Sequence, residues 1–123
     1  MFEGFQRKKI EVDGATINCV YGGQGDPVLL LHGYPQTLSE WAKLAPLLVN
    51  QHTVVCADLR GYGDSSKPVG VADHSNYSFR AMAADQVSLM RALGHERFHV
   101  VGHDRGGRVS HRMTLDWPDQ VRS

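Results

Sequence analysis

Apolar and polar residues alternate in two short segments near the start of the chain, residues 10–12 and 17–21. Asp13-Gly14 lies between them, and this dipeptide is typical of a tight two-residue turn. The pattern predicts an antiparallel β-hairpin at the N-terminal end of the chain.

Three later segments are continuous apolar runs, at residues 28–31, 53–57 and 98–101. Short runs without alternation are typical of strands that are covered on both faces, as in a parallel sheet. Because helical patterns separate these runs, the chain is predicted to form a doubly wound α/β sheet with an antiparallel edge.

The first helical pattern begins with a possible capping box from Thr37 to Glu40, in which each side chain satisfies a free backbone N–H group of the first turn. Apolar residues follow at helical spacing, so one helix is predicted here, with a kink at Pro46. Its predicted apolar positions are Trp41, Leu44, Leu47 and Leu48.

The next two helices have clearer boundaries. Ser78 is a suitable N-cap for the second helix, and Gly94 is a suitable terminator. An apolar stripe at helical spacing lies between them, formed by Phe79, Met82, Ala83, Val87, Met90 and Leu93. A third helix is predicted from Arg105 to about Trp117, where the following proline ends it.

Length and charge limit the classes of function. A chain of 123 residues has room for one core, and its 13 acidic and 13 basic side chains form no long run of one sign, which argues against a nucleic-acid partner. Without a stretch of eighteen apolar residues we expect no membrane span, and we expect a soluble, cytoplasmic protein. The sequence ends where another parallel strand is expected, so residues 1–123 are predicted to be an incomplete core domain, from a truncated or partial chain.

The strongest chemical signal is the segment Gly102-His103-Asp104-Arg105-Gly106, between a predicted buried strand and a helix. This is the context of a nucleophile elbow, where flanking glycines allow a sharp turn that exposes the central side chain. The nucleophile is then Asp104, although an aspartate at a helix start can also be a simple cap. A carboxylate nucleophile suits displacement at a saturated carbon, as in alkyl halides and epoxides.

A second signal follows the first parallel strand, at His32-Gly33-Tyr34-Pro35. In this position the backbone N–H groups of Tyr34 and Arg105 are predicted to form an oxyanion hole. His32, Gly33 and Pro35 are interpreted as residues that shape this loop.

Cofactor and metal sites are not predicted. The seven histidines lack a ligand spacing supported by cysteines or carboxylates. The glycines near Asp104 do not form a G-x-G-x-x-G motif, and an aspartate in that turn would repel a pyrophosphate. We therefore expect no metal and no dinucleotide.

Four motifs together resemble the haloacetate (fluoroacetate) dehalogenases of the α/β-hydrolase fold, in order and over nearly the whole chain. They are His32-Gly33-Tyr34-Pro35 with Trp41, then residues 58–65 (DLRGYGDS), residues 76–80 (NYSFR) and residues 102–108 (GHDRGGR). The resemblance implies that Arg105 and Arg108 hold the carboxylate of a small halogenated acid, a role suited to two guanidinium groups. From the residues alone, both arginines can equally be solvated surface residues.

The resemblance implies a hydrolase in which Asp104 displaces halide, and a histidine oriented by an acidic residue activates the water that cleaves the resulting ester. In that family both partners and the helical cap come after position 123, so the fragment alone is expected to be inactive; dimers are common at full length. Two other hypotheses remain open at this point. One is an epoxide hydrolase with the same nucleophile, and the other is a non-catalytic remnant that keeps an anion pocket. Apolar haloalkanes are disfavoured because Arg105 occupies the position where haloalkane dehalogenases commonly carry tryptophan.

Overall fold

A single mixed sheet of five strands forms the centre of the molecule in a computed structural model that describes all residues, 1–123. The strands are β1 (Gln6–Val12), β2 (Ala15–Gly23), β3 (Asp26–Leu31), β4 (His52–Ala57) and β5 (His99–Gly102). Their order across the sheet is β1-β2-β4-β3-β5. The pairs β1–β2 and β2–β4 are antiparallel, whereas β4–β3 and β3–β5 are parallel. The predicted hairpin and parallel strands are therefore confirmed.

Three α-helices cover the sheet: α1 (Ala45–Leu48), α2 (Phe79–Ala92) and α3 (Arg105–Asp116). Short 3₁₀ turns occupy Leu38–Trp41 and Ser75–Tyr77. Helices α2 and α3 pack together on one face of the sheet, while α1 and the first 3₁₀ turn cover part of the other. None of these helices has the length and hydrophobicity that a membrane-spanning helix needs.

The central strands β3 and β4 are buried because both of their faces are covered. Along β3, Leu29 and Leu31 face the core under α2 and α3, whereas Val28 and Leu30 face the opposite core. The edge strand β5 differs from the prediction of two covered faces. Its neighbour Phe98 is fully buried, but Val101 is exposed because it lies on the face that α1 covers only near β4.

The boundaries of α2 and α3 agree with the predictions. The Ser78 hydroxyl accepts a hydrogen bond from the Ala81 N–H at 3.0 Å, and α2 ends before Gly94, which has a φ of +94°. Beyond α3, Val121 pairs in parallel with Phe98, and the Val100 N–H donates to the Ser123 carbonyl at 2.9 Å. These last residues therefore extend the sheet beyond β5.

The predicted helix after Thr37 is wrong. The Thr37 hydroxyl accepts from the Ser39 N–H, and the Glu40 carboxylate turns away from the helix start, so no capping box forms. The chain makes a 3₁₀ turn, breaks, and begins α1 with Pro46 in its first turn, where a missing N–H group costs nothing. Leu47 is 77% exposed, so the predicted apolar stripe does not continue to the end of α1.

Candidate active site

Asp104 lies at the sharp turn between β5 and α3. Its backbone has φ 56° and ψ −117°, a conformation that non-glycine residues rarely adopt and that is found at strained functional positions. The flanking glycines permit this turn by close approach. A Cβ atom on Gly102 would lie 2.3 Å from the Gly106 carbonyl oxygen, and one on Gly106 would lie 2.1 Å from that of Leu31. The exposed side chain of Asp104 therefore stands at the end of the sheet on a tightly packed turn.

The loop after β3 is held against this turn by His32. The buried His32 ring accepts from the Leu59 N–H through Nε2, at 3.0 Å, and its Nδ1–H donates to the Gly33 carbonyl, also at 3.0 Å. These partners assign a neutral ring, and burial lowers the pKa of His32 in agreement with that assignment. A cis peptide bond joins Tyr34 and Pro35. The loop thus has a defined course from β3 to the nucleophile candidate.

The Asp104 carboxylate receives backbone hydrogen bonds from two directions. The Tyr34 N–H donates to Oδ2 at 3.0 Å. This bond is the largest cause of a lowered pKa for Asp104, and the Arg105 N–H adds to it. The two N–H groups assigned to an oxyanion hole from the sequence therefore converge on Asp104, and they favour its charged form.

Two arginines lie beside this carboxylate on the first turn of α3. The Arg105 guanidinium packs over the Tyr34 ring, 5.0 Å from its centroid. Together with Phe79 and Asp104, these residues and Arg108 line a pocket of about 370 Å³. Neither arginine forms an ion pair within residues 1–123. The pocket therefore carries two guanidinium groups beside a single carboxylate, and this excess of positive charge is suited to a small anion.

Glu40 joins the loop after β3 to the residue before Asp104. Its Oε1 accepts from the Gly33 N–H at 3.1 Å, and its Oε2 lies 2.9 Å from Nδ1 of His103. Sequence reasoning missed this contact because Glu40 also fits the spacing of a helix cap, and no local pattern links positions 40 and 103.

The segment after β4 supports the loop from behind. Asp58 is buried and its carboxylate accepts from the Leu38 N–H at 2.8 Å, the Asp64 N–H at 2.9 Å and the Asn18 side-chain amide at 2.9 Å. This segment, one of the four motifs of the resemblance, therefore acts as a scaffold for the loop after β3.

A buried ion pair fixes the same segment to α2. Arg60 donates to both carboxylate oxygens of Asp85, at 2.9 and 2.7 Å, and to the carbonyls of Asp13 and Asn76. No local sequence pattern predicts this pair, because its members lie 25 residues apart. Elsewhere, no three His, Cys, Asp or Glu side chains are grouped closely enough to hold a metal ion.

Comparison with known proteins assigns the chain to a family. Residues 26–123 match the family described as the alpha/beta hydrolase fold. The chain is 69% identical over all its residues to the fluoroacetate dehalogenase of Burkholderia sp., and 40% identical over 110 residues (89% of the chain) to a soluble epoxide hydrolase of Corynebacterium sp. strain C12. It covers 40% and 37% of these relatives, respectively, so it spans about two fifths of their length.

Two solved structures of related proteins have the same fold as this chain. One from Nostoc sp. PCC 7120, assigned to the α/β hydrolases, superposes with a TM-score of 0.98 at 57% identity, over 99% of this chain and 42% of that one. The epoxide hydrolase VrEH1 of Vigna radiata superposes with a TM-score of 0.92 at 30% identity, over 100% of this chain and 38% of that one. The predicted fold and the resemblance to fluoroacetate dehalogenase are thus confirmed, and the chain belongs to the α/β hydrolase fold family.

Proposed function

We propose that residues 1–123 form the nucleophile-bearing part of a hydrolase that cleaves the carbon–halogen bond of short haloacids. The observation that carries the proposal is the charged Asp104 carboxylate, exposed on a strained elbow beside Arg105 and Arg108. The 69% identity to a fluoroacetate dehalogenase supports the same substrate class.

In the proposed reaction, an Asp104 oxygen attacks the halogen-bearing carbon, and halide leaves with the electron pair of the broken bond. Arg105 and Arg108 hold the substrate carboxylate, which places that carbon in front of the nucleophile. Water then attacks the carbonyl carbon of the aspartyl ester, which releases the hydroxyacid and regenerates Asp104. The N–H groups of Tyr34 and Arg105 stabilise the negative oxygen that forms in this second step.

The second step needs a general base, for which we assign no residue in this chain. In the haloacetate dehalogenases that the chain resembles, the base and its acidic partner follow position 123. We therefore predict that residues 1–123 alone show no turnover. An assay therefore needs a longer protein. A suitable one is a hybrid enzyme in which residues 1–123 replace the matching segment of the Burkholderia relative.

The decisive experiment measures halide release from fluoroacetate and chloroacetate by the hybrid enzyme. We expect release that is abolished in Asp104→Asn and unchanged in Asp119→Asn, because Asp119 is an exposed carboxylate elsewhere on the chain. In a single turnover in ¹⁸O-water, the label should enter Asp104, because water attacks the ester at its carbonyl carbon. Halide release without label in Asp104 would contradict the ester mechanism.

An epoxide hydrolase is the second candidate, favoured by the 40% identity to the Corynebacterium enzyme. The two activities differ in their use of the arginines. For a haloacid, Arg108→Gln should raise KM at least tenfold, because it removes one charged partner of the substrate carboxylate. For a neutral substrate such as styrene oxide, the same variant should change KM little. Hydrolysis of styrene oxide without halide release would favour the epoxide hydrolase.

Three further hypotheses stay predictions. A non-catalytic remnant would bind chloroacetate through Arg105 and Arg108 without consuming it, which calorimetry on residues 1–123 can test. A homodimer at full length can be tested by light scattering on the hybrid enzyme. A cytoplasmic location, consistent with the reduced, buried Cys19 and Cys56, can be tested by cell fractionation.

A further inference from the structure

Glu40 occupies a position from which one carboxylate contacts both sides of the candidate site. It is 19% exposed, and its two oxygens have different partners: the Gly33 N–H at 3.1 Å and the His103 ring at 2.9 Å. Gly33 immediately precedes the oxyanion donor Tyr34, and His103 immediately precedes Asp104. The carboxylate therefore links the donor loop, which carries the Tyr34 N–H, to the turn that carries Asp104.

The loop and the turn are packed closely at this point. A Cβ atom on Gly33 would lie 2.6 Å from Cβ of Asp104, 2.9 Å from the His103 carbonyl oxygen and 3.1 Å from Nδ1 of His103. Gly33 is held from two directions, since its carbonyl accepts from His32 and its N–H donates to Glu40. Loss of the second contact releases the His32–Gly33 peptide, which is the unit immediately before the peptide that carries the Tyr34 N–H.

The contact matters more for position than for stability. His103 is 64% exposed, and a polar contact with an exposed partner adds little to the free energy of unfolding. The position of an oxyanion donor is a stricter requirement, because displacement by about 1 Å can cost up to about a hundredfold in rate. A weak contact can therefore affect the reaction strongly without affecting folding.

We propose that Glu40 and His103 are positioning residues for hydrolysis of the aspartyl ester: together they hold the Tyr34 N–H on the Asp104 carboxyl oxygen. This inference rests on the proposed function, because it requires an ester at Asp104. It does not depend on which substrate forms the ester, since haloacids and epoxides would both leave Asp104 esterified.

The expected signature is a shift in the rate-limiting step. In Glu40→Leu the oxyanion is less well stabilised, so hydrolysis slows, kcat falls about tenfold, and the ester accumulates in the steady state. Ester formation depends on Arg105 and Arg108, so kcat/KM should fall less than threefold. Glu40→Gln retains an acceptor for the Gly33 N–H and should restore most of the lost rate.

His103 gives an independent pair of variants. Because its side chain is exposed, we expect substitutions there to leave folding intact. His103→Leu should repeat the accumulation of ester, whereas His103→Asn, which can donate to Glu40 from a similar place, should prevent it. If both residues act through one contact, the double variant Glu40→Leu/His103→Leu should be no slower than Glu40→Leu alone.

The test quantifies esterified Asp104 by mass spectrometry of quenched hybrid enzyme, with chloroacetate and with styrene oxide. Accumulated ester in the leucine variants, and little in Glu40→Gln or His103→Asn, supports the proposal. An unchanged kcat, or a parallel fall of kcat and kcat/KM without accumulated ester, overturns it and leaves a structural role only. If the unsubstituted hybrid forms ester from styrene oxide alone, the haloacid proposal fails while the positioning proposal is still tested. No ester from either substrate would overturn both.

Discussion

Two adjacent glycines on α3 offer a sharp test of how closely the helix is packed on the sheet. At Gly106 an added Cβ atom would lie 2.1 Å from the Leu31 carbonyl oxygen, about 1.3 Å short of the 3.4 Å at which ordinary contact begins. At Gly107 the nearest neighbour, the Gly102 carbonyl oxygen, is 3.6 Å away, so a methyl group fits. The same substitution should therefore have opposite effects at consecutive positions.

The expected magnitudes follow from these distances. Gly106→Ala must push α3 away from β3, and overpacking of this kind costs about 1–3 kcal/mol of the free energy of unfolding, or more where the clash is with backbone. Gly107→Ala should gain up to about 1 kcal/mol, because alanine is a better helix former than glycine. We therefore expect the two variants to differ by roughly 1–4 kcal/mol.

The assay is urea unfolding of the hybrid enzyme and its two variants, combined with measurement of halide release. Gly106→Ala should also lose activity, because the shift moves the Arg105 N–H and Asp104 together with the start of the helix. Equal stability of the two variants would refute the close packing of α3 on β3. A stable but inactive Gly107→Ala would refute the assumption that its position is open.

Three further predictions concern other contacts. Tyr34→Leu removes the ring beneath the Arg105 guanidinium, so KM for chloroacetate should rise about three- to tenfold. Tyr34→Phe keeps the ring and should keep the unsubstituted KM. Equal KM values for the two variants in steady-state assays would contradict a role for the ring. Asp85→Leu leaves Arg60 buried and unpaired and should cost about 3–5 kcal/mol in urea unfolding, whereas a double variant with Arg60→Met should recover part of the loss. Because the pKa of Asp104 is lowered from 3.8, ester formation should persist down to that pH and be lost only below it. If single-turnover experiments instead show a loss centred near about pH 5, the pKa of Asp104 is not lowered.

The lowered pKa of Asp104 also affects the stability of the folded state at acid pH. A carboxyl group whose pKa is lower in the folded state stabilises that state at pH values above its unfolded pKa, and this contribution disappears as the pH falls through the folded value. For Asp104 the loss therefore occurs below pH 3.8 and leaves neutral pH unaffected.

The predictable parts of the fold were those with local causes. The turn at Asp13-Gly14, the N-cap at Ser78 and the apolar runs of β3 and β4 each depend on neighbouring residues, and all four are present. The elbow geometry was also predictable, since glycines flank the aspartate between a strand and a helix.

The parts that could not be predicted depend on distant partners. The helix expected after Thr37 fails because the Glu40 carboxylate binds Gly33 and His103 instead of the helix start. The pairing of Arg60 with Asp85 likewise arises only when the turn after β4 meets α2. The substrate-binding role of Arg105 and Arg108 stays a prediction, because their ligand comes from outside the chain.

The hydrogen-bond ladder of the sheet continues into the candidate site. Leu31 pairs with Gly102 at the ends of β3 and β5, and the next N–H group, that of His103, donates to the Leu31 carbonyl at 3.0 Å. The separation between the loop after β3 and Asp104 is thus set by main-chain spacing between adjacent strands, about 4.8 Å, rather than by the shape of core side chains. Core side chains can consequently diverge during evolution without moving Tyr34 and Asp104 apart, which fits the close superposition on an epoxide hydrolase at only 30% identity.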